Sequence, residues 1–341
     1  MFGKDIGVDL GTANVLVHVK GRGIVLDEPS VVAIESQTRR VVAVGEEARR
    51  MLGRTPGNIV AIRPLREGVI ADFDITEIML RHFIQRTIGK NMFLRPRVMI
   101  CVPAGITSVE QKAVREAAER TGAKEVFLIE EPKAAAIGAG LDIFQPSGSM
   151  VVDIGGGTTD VAVLSLGDVV TSNSIRVAGD KFDEAIIRHI RKHYSLLIGE
   201  RTAEEIKIHI ASVYPGARTE EIDVRGRDMI SGLPKTVTVG SEEMREALEE
   251  TVVNIIATAK HVLERTPPEL AADIYDKGIV LTGGGALLYG LDQLMVDQLQ
   301  VPVHIAEEPM SCVVRGTGIA LDNLDKVSRS LLNNKKKIGV I

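Results

Sequence analysis

The feature that most constrains this chain is an internal echo. Val8-Asp9-Leu10-Gly11-Thr12, near its start, returns as Val152-Asp153-Ile154-Gly155 with Thr158 close behind. Each copy is an apolar strand that ends in an aspartate, followed by a glycine and a hydroxyl. Solenoid units recur about every 20–50 residues, so an echo this widely spaced predicts two duplicated lobes instead. Length agrees, because 341 residues exceed what one ordinary hydrophobic core organises.

The pattern around each copy is α/β. Ile6–Leu10, Val15–Val19, Ile24–Leu26, Val31–Ile34 and Val41–Val44 read as strands, with Lys20-Gly21-Arg22-Gly23 as turn chemistry. From residue 74 helices and strands alternate. Asp74-Ile75-Thr76-Glu77 reads as a capping box opening a helix that stops near Gly89. Arg97–Val102 reads as a buried strand. Thr107 or Ser108 caps a helix to Gly122, the strand Val126–Ile129 follows, and Pro132 opens the next helix. After Gly148 strands return at Met150–Ile154, Val161–Ser165 and Val169–Arg176. Residues 182–242 then read as helices and a charged, turn-rich stretch forming a smaller subdomain.

Five segments carry chemistry. In Asp9-Leu10-Gly11-Thr12-Ala13-Asn14, a turn between strands can offer main-chain N–H groups and a hydroxyl to phosphate oxygens; an ordinary polar hairpin reads the same way. Asp153-Ile154-Gly155-Gly156-Gly157-Thr158-Thr159-Asp160 is more specific. Three glycines between apolar strands each lose about 0.5–1 kcal/mol relative to alanine in regular structure, which predicts a backbone that must touch a ligand. The flanking Asp153 and Asp160 suit Mg²⁺, an oxygen-seeking ion that shares its waters with nucleotide phosphates.

Thr282-Gly283-Gly284-Gly285-Ala286-Leu287 joins a strand to a helix, where a flat ring or a phosphate can approach the backbone; a tight packing turn fits it equally. Glu204-Glu205-Ile206-Lys207 places Glu204 and Lys207 on one helix face, either bracketing a ribose or forming a surface ion pair. Ile129-Glu130-Glu131-Pro132 ends a strand in two acids before an Ala-rich helix. An acid there can orient water, although helix N-termini favour carboxylates by themselves. With an ordinary pKa near 4.3 a glutamate is a feeble base, so water positioning is expected unless burial raises it. No Gly-x-x-x-x-Gly-Lys-Ser/Thr is present, which excludes a P-loop.

Taken in this order, the five segments resemble the actin/Hsp70/sugar-kinase superfamily, with Gly316-Thr317-Gly318 in its second connecting helix. The resemblance narrows to the MreB family of bacterial actins. It rests on Ile6 to Asn14, Glu28-Pro29-Ser30-Val31-Val32-Ala33, Gly226-Arg227-Asp228, Gly232-Leu233-Pro234-Lys235-Thr236 and Pro267-Pro268-Glu269-Leu270. The runs Ala13 to Lys20 and Ala178 to Asp183 look most like the Mbl paralogue of Gram-positive rods.

The resemblance implies an α/β, actin-like fold: two duplicated ribonuclease-H-like lobes with a nucleotide cleft between them. Residues 1–32, 66–145 and 316–341 would form one core and 33–65 its small subdomain. Residues 146–181 and 243–315 would form the other core, with 182–242 as its subdomain. It also implies ATP contacts from Gly11, Thr12, Ala13, Asn14, Gly155, Gly156, Gly157 and Thr158. Glu204, Glu205, Ile206 and Lys207 would lie at the ribose, and Gly283, Gly284, Gly285, Ala286 and Leu287 at the adenine. Asp9 and Asp153 would hold Mg²⁺, partly through water, and Glu131 would place the hydrolytic water. Arg315 departs from the pattern where an apolar residue is expected, which puts the packing under the second connecting helix in question.

The family further implies a weak ATPase coupled to polymerisation: head-to-tail, paired protofilaments on the inner face of the cytoplasmic membrane, and the cell-wall elongation machinery as partner. A chaperone ATPase of the Hsp70 type would be expected to carry a further substrate domain, and a small-molecule kinase a sugar pocket with its own base. Neither has a sequence candidate here. The net charge of −5 lacks the basic surplus of a nucleic-acid binder. Cys101 and Cys312, each in an apolar run, read as reduced core thiols, and the early Asp5 argues against a signal peptide, so a cytoplasmic protein is expected. Met92-Phe93-Leu94, rimmed by Lys90, Arg95 and Arg97, is the expected membrane contact. Phe2 and the Lys335-Lys336-Lys337 run can add to it.

Overall fold

The computed structural model describes residues 5–88 and 95–327. The first half opens with an antiparallel meander, β1 (Asp5–Leu10), β2 (Asn14–Val19) and β3 (Gly23–Pro29). β4 (Val32–Glu35), β5 (Val41–Val44) and β6 (Ile59–Ile62) form a separate small sheet carrying α1 (Glu46–Met51). A tight hairpin of β7 (Leu65–Arg66) and β8 (Val69–Ile70) turns at Glu67-Gly68, both with positive φ (49° and 77°). Then come α2 (Phe73–Ile88), β9 (Arg97–Val102), α3 (Ser108–Glu119), β10 (Glu125–Glu130) and α4 (Glu131–Gly138). β9 runs parallel to β1 and β10 parallel to β9, which gives the order β10-β9-β1-β2-β3.

The second half repeats this plan. β11 (Ser149–Ile154), β12 (Thr159–Ser165) and β13 (Asp168–Ile175) form a meander. α5 (Gly179–Tyr194), β14 (Leu196–Leu197), α6 (Glu200–Ile210), β15 (Glu221–Asp228) and β16 (Pro234–Gly240) follow, the three strands making a small sheet. α7 (Ser241–Glu264), α8 (Pro268–Lys277), β17 (Ile279–Thr282), α9 (Leu291–Leu299), β18 (Val303–Ile305), α10 (Cys312–Asp322) and α11 (Leu324–Val327) complete it. β17 and β18 add in parallel, giving β13-β12-β11-β17-β18. Numbered within its own lobe, each large sheet runs 3-2-1-4-5 with the same parallel and antiparallel pairs. The echo at Asp9 and Asp153 is therefore the visible part of a duplicated fold.

Each lobe has its own core, around Val8, Phe83 and Ile100 in one and Val152, Phe182 and Ile255 in the other. A third cluster joins them where α4 and α10 cross, with Ala134, Ala135, Ala136, Val151 and Val313. The crossing is close. A Cβ on Gly138 would overlap the Cys312 carbonyl oxygen, and one on Gly316 the Ala134 carbonyl oxygen. Arg315 does not disturb it: the side chain is partly exposed and lies 3.5 Å from Glu308. Both cysteines are buried free thiols.

Three local expectations change. α2 begins two residues earlier than the proposed capping box, because Asp72 accepts the Ile75 N–H (3.2 Å). Glu77 is drawn away to Arg81 and Arg120. The charged stretch after residue 220 is a β-hairpin, β15–β16. Its alternation of Val224 and Val239 inward with charged and threonine side chains outward is a half-buried strand pattern masked by its polarity. The strand β6 also joins the β4–β5 pair. Thr107 does cap α3, in a capping box with Glu110. Met92, Phe93, Leu94, Phe2 and Lys335 to Lys337 lie outside the described residues.

Candidate functional site

The turns of the two echoed hairpins meet between the lobes. Gly155 N–H donates to the Thr158 carbonyl (2.9 Å), closing the β11–β12 loop. A Cβ on Gly156 would stand 2.7 Å from Ala13 Cβ, and one on Gly157 would stand 2.5 Å from Thr12 Oγ and 2.9 Å from Glu67 Cα. Real Cβ atoms do not approach that closely, so these two glycines are required by loop-to-loop contact. Packing between the loops is thus one reason for the glycines; a Cβ on Gly155 would meet nothing nearer than 3.4 Å. Gly11 is likewise tight against the Asn14 carbonyl (2.7 Å). The Glu67-Gly68 turn forms a third wall, with Gly68 N–H donating to Thr12 Oγ (3.1 Å). Asn14 turns its amide to Asp27 (2.7 Å).

Four carboxyls line the floor. Asp9, next to last in β1, lies beside the Cys101 thiol, which donates to it at 3.2 Å. Asp153 on β11 accepts the Thr282 hydroxyl (2.6 Å) and stands opposite Asp160 in the β11–β12 register. Asp160 accepts Ala104 N–H (2.7 Å), while its second oxygen is buried without a hydrogen-bond partner. Glu131, the first residue of α4, joins them from the connecting helix.

Burial dominates their titration. It lifts Asp9 to about 6 against the Cys101 hydrogen bond, and Asp153 to about 7 against that of Thr282. Asp160 also rises to about 7, despite the Ala104 N–H. Burial, then Asp160, Asp9 and Asp153, holds Glu131 well above the usual carboxylate range. Among the described residues no cation offsets the burial of these four acids. That answers the condition set on Glu131, whose pKa is raised by desolvation. Asp160 and Cys101 belong to this floor as much as Asp9 does; Asp160 was legible in the second loop, Cys101 was not.

The remaining segments divide. On α6, Glu204 accepts from Arg49 of α1 across the cleft (2.9 Å), and Lys207 pairs with Asp183 of α5 (2.9 Å). Glu205 pairs with Arg201 on its own helix (3.1 Å). Ile206 is buried in the second core, so its side chain cannot face a ligand. In the third glycine run, Gly283 has φ 79° and Gly285 would drive a Cβ into Ile154, so packing accounts for both. Ala286 is buried; Gly284 and the half-exposed Leu287 are the members left open, on a 3₁₀ turn.

Further ion pairs bridge the lobes: Arg63 to Asp180 (3.0 Å) and Glu200 (3.4 Å), and Glu67 to Arg176 (3.5 Å) and Lys181 (3.7 Å). Arg63, Glu67, Arg176 and Glu200 stand in no recognisable motif, whereas Asp180 and Lys181 fall in the Ala178 to Asp183 run. A separate cavity of about 300 Å³ opens between β5 and α2, lined by Glu28, Glu47, His82 and Arg86, and shares none of the four acids.

Known proteins share this layout. The family description MreB/Mbl protein matches residues 3–329. The chain belongs to the MreB/Mbl family. The cell shape-determining protein Mbl of Bacillus subtilis is 66% identical over 98% of this chain and 100% of its own length. The cell shape-determining protein MreB of Escherichia coli K12 is 56% identical over 95% of each. The fold is that of the actin-like MreB5 of Spiroplasma citri, solved with ADP and with AMPPNP: TM-score 0.91 and 41% identity over 96% of this MreB/Mbl chain, covering 98% and 99% of those chains. The MamK double helical filament shares the fold at TM-score 0.80 and 23% identity, over 94% of this chain and 98% of its own.

Proposed function

We propose that this MreB/Mbl protein binds ATP with Mg²⁺ between its lobes, hydrolyses it weakly, and assembles into membrane-associated filaments that organise wall synthesis and maintain rod shape. The observation that carries the reading is the floor of four desolvated acids beneath two facing hairpin loops. Such a floor is stable in ionised form only with a cation above it. Among the described residues no three ligating side chains converge in metal-binding geometry, so Mg²⁺ would draw most of its shell from water and phosphate. Asp9 and Asp153 are the residues we assign to it.

The ion, when bound, supplies positive charge to phosphate and to the floor. Gly11 to Asn14 and Gly155 to Thr158 would offer N–H groups and the Thr12 and Thr158 hydroxyls to phosphates from opposite sides. Glu131, at a helix N-terminus where a carboxylate is favoured, would accept a hydrogen bond from water and fix its approach once ionised. Glu204 and Lys207 would flank the ribose, and Gly283 to Leu287 the adenine. We place the lobe boundaries where the resemblance puts them, at residues 32, 65, 145, 181, 242 and 315.

Self-association is supported by the tip of the β15–β16 hairpin, where Ile230 is 87% and Leu233 65% exposed. Exposed apolar side chains at a hairpin tip offer a contact surface, and a heterologous contact there need not close, which is the condition for head-to-tail growth. No helix among the described residues is long and apolar enough to cross a membrane. Attachment through Met92, Phe93 and Leu94 at the inner face of the membrane is proposed on sequence alone. Equilibrium binding of ATP with and without Mg²⁺, followed by sedimentation with each nucleotide and with anionic liposomes, tests the whole reading. Absence of ATP binding, or of polymer under every condition, removes it. Phe93→Ser with Leu94→Ser should lower liposome co-sedimentation, and full retention would move attachment elsewhere.

A further inference from the structure

Glu204 and Lys207 share a face of α6, yet they are held by different halves of the molecule. Lys207 is fixed within its own lobe, by Asp183 (2.9 Å) and the Gly179 carbonyl (3.3 Å) of α5. Glu204 is fixed from outside it. Its Oε2 accepts from Nη2 of Arg49, which stands on α1 of the opposite small sheet. Among the described residues its other oxygen has no donor.

We infer that Arg49 is a positioning residue for the ribose: by holding one oxygen of Glu204 from across the cleft, it presents the other to the sugar hydroxyls. This rests on the nucleotide reading above. The pair is open to solvent, with side chains 40% and 37% exposed, and exposed pairs of this kind add little to stability. Its value is geometric. A glutamate has three side-chain torsions, and an unpaired one at a cleft edge samples many rotamers; a guanidinium on one oxygen removes most of that freedom. Because Arg49 belongs to the other lobe, the constraint exists only while the small sheet and α6 face each other. Ribose recognition thus has a permanent half at Lys207 and a closure-dependent half at Glu204.

The experiment is equilibrium binding of ATP, 2′-deoxy-ATP and 3′-deoxy-ATP, with Mg²⁺, to the full chain and to Arg49→Ala, Arg49→Lys and Arg63→Ala, below the concentration at which polymer sediments. Unchanged melting temperatures establish that each variant folds. A hydrogen bond from a sugar hydroxyl to a charged carboxylate predicts that the wild type prefers ATP over the weaker deoxy analogue by about tenfold or more. Arg49→Ala should cut that preference to about threefold or less, and Arg49→Lys should restore most of it. Arg63→Ala removes a different bridge between the lobes and should leave the preference intact. An undiminished preference in Arg49→Ala, or an equal collapse in Arg63→Ala, would overturn the inference, the latter by assigning the effect to general opening of the cleft. A wild type that binds ATP with no hydroxyl preference overturns it too. A wild type that binds none of the three overturns the nucleotide reading itself.

Discussion

Asp153 and Asp160 stand directly opposite each other on neighbouring antiparallel strands, both buried and both lifted to about 7. Like charges across a strand pair are destabilising, and among the described residues no cation offsets either acid. The arrangement has consequences that solution measurements can read.

The first concerns pH. A carboxyl raised in the folded state stays protonated there while its unfolded counterpart has already ionised. Stability is therefore full below about pH 4 and falls as pH rises toward 7. Asp9, Asp153, Asp160, Glu131 and Asp183 all act in this direction; His18, lowered by burial, opposes them. Glu110, depressed by Thr107, opposes them at the acid end of the range. Each pH unit of displacement is worth about 1.4 kcal/mol, so the ligand-free protein should melt several degrees lower at pH 8 than at pH 5.5. Saturating Mg²⁺ and ATP should flatten the profile. Calorimetry at both pH values checks it; a rising ligand-free profile is incompatible with the acid floor.

Glu131→Gln keeps the shape of the side chain and removes its charge. We expect phosphate release to fall about 100-fold or more while ATP binding persists. The same variant should be more stable than the wild type at pH 8, because a carboxyl that ionises more readily in the unfolded chain than in the fold no longer favours unfolding. Unchanged turnover would take Glu131 out of the chemistry.

Gly156→Ala tests the contact between the loops. The new methyl would meet Ala13 Cβ at 2.7 Å, and overpacking of this kind costs about 1–3 kcal/mol. Adding Ala13→Gly should recover at least half of that loss in urea unfolding. Without such recovery, the glycine is required for another reason.

Ile230→Asp with Leu233→Asp changes side chains that are largely exposed. Stability should stay within about 0.5 kcal/mol of wild type, while the sedimentable fraction under polymerising conditions falls sharply. Normal pelleting would move the longitudinal contact away from the hairpin tip.

Much of this was legible in the chain. The Asp9 and Asp153 echo announced the duplication because a strand, an acid and a glycine in order leave few alternatives. The strands around them were plain because they are buried on both faces. The β15–β16 hairpin was missed because its outward residues are charged, and the helix start at Asp72 because Asp74 and Glu77 imitate a capping box. Within the site, Asp160 and the glycines could be read, but their reasons could not: Gly156 answers to Ala13, in the other half of the chain. Arg49, Arg63 and Glu67 carried no signal at all. Each is an ordinary surface charge until the fold brings it against the opposite lobe.

The crossing of α4 and α10 deserves to be considered as a mechanical part. Backbone rests on backbone at Gly138 and Gly316, where α4, which begins at Glu131, crosses α10. At these two glycines no side chain stands between the helices, while the alanines beside them pack in the cluster that joins both lobes. A swing of one lobe about this crossing would be levered outward, toward Arg49 and the hairpin tip. Bulk added at either glycine would be expected to jam both ends at once.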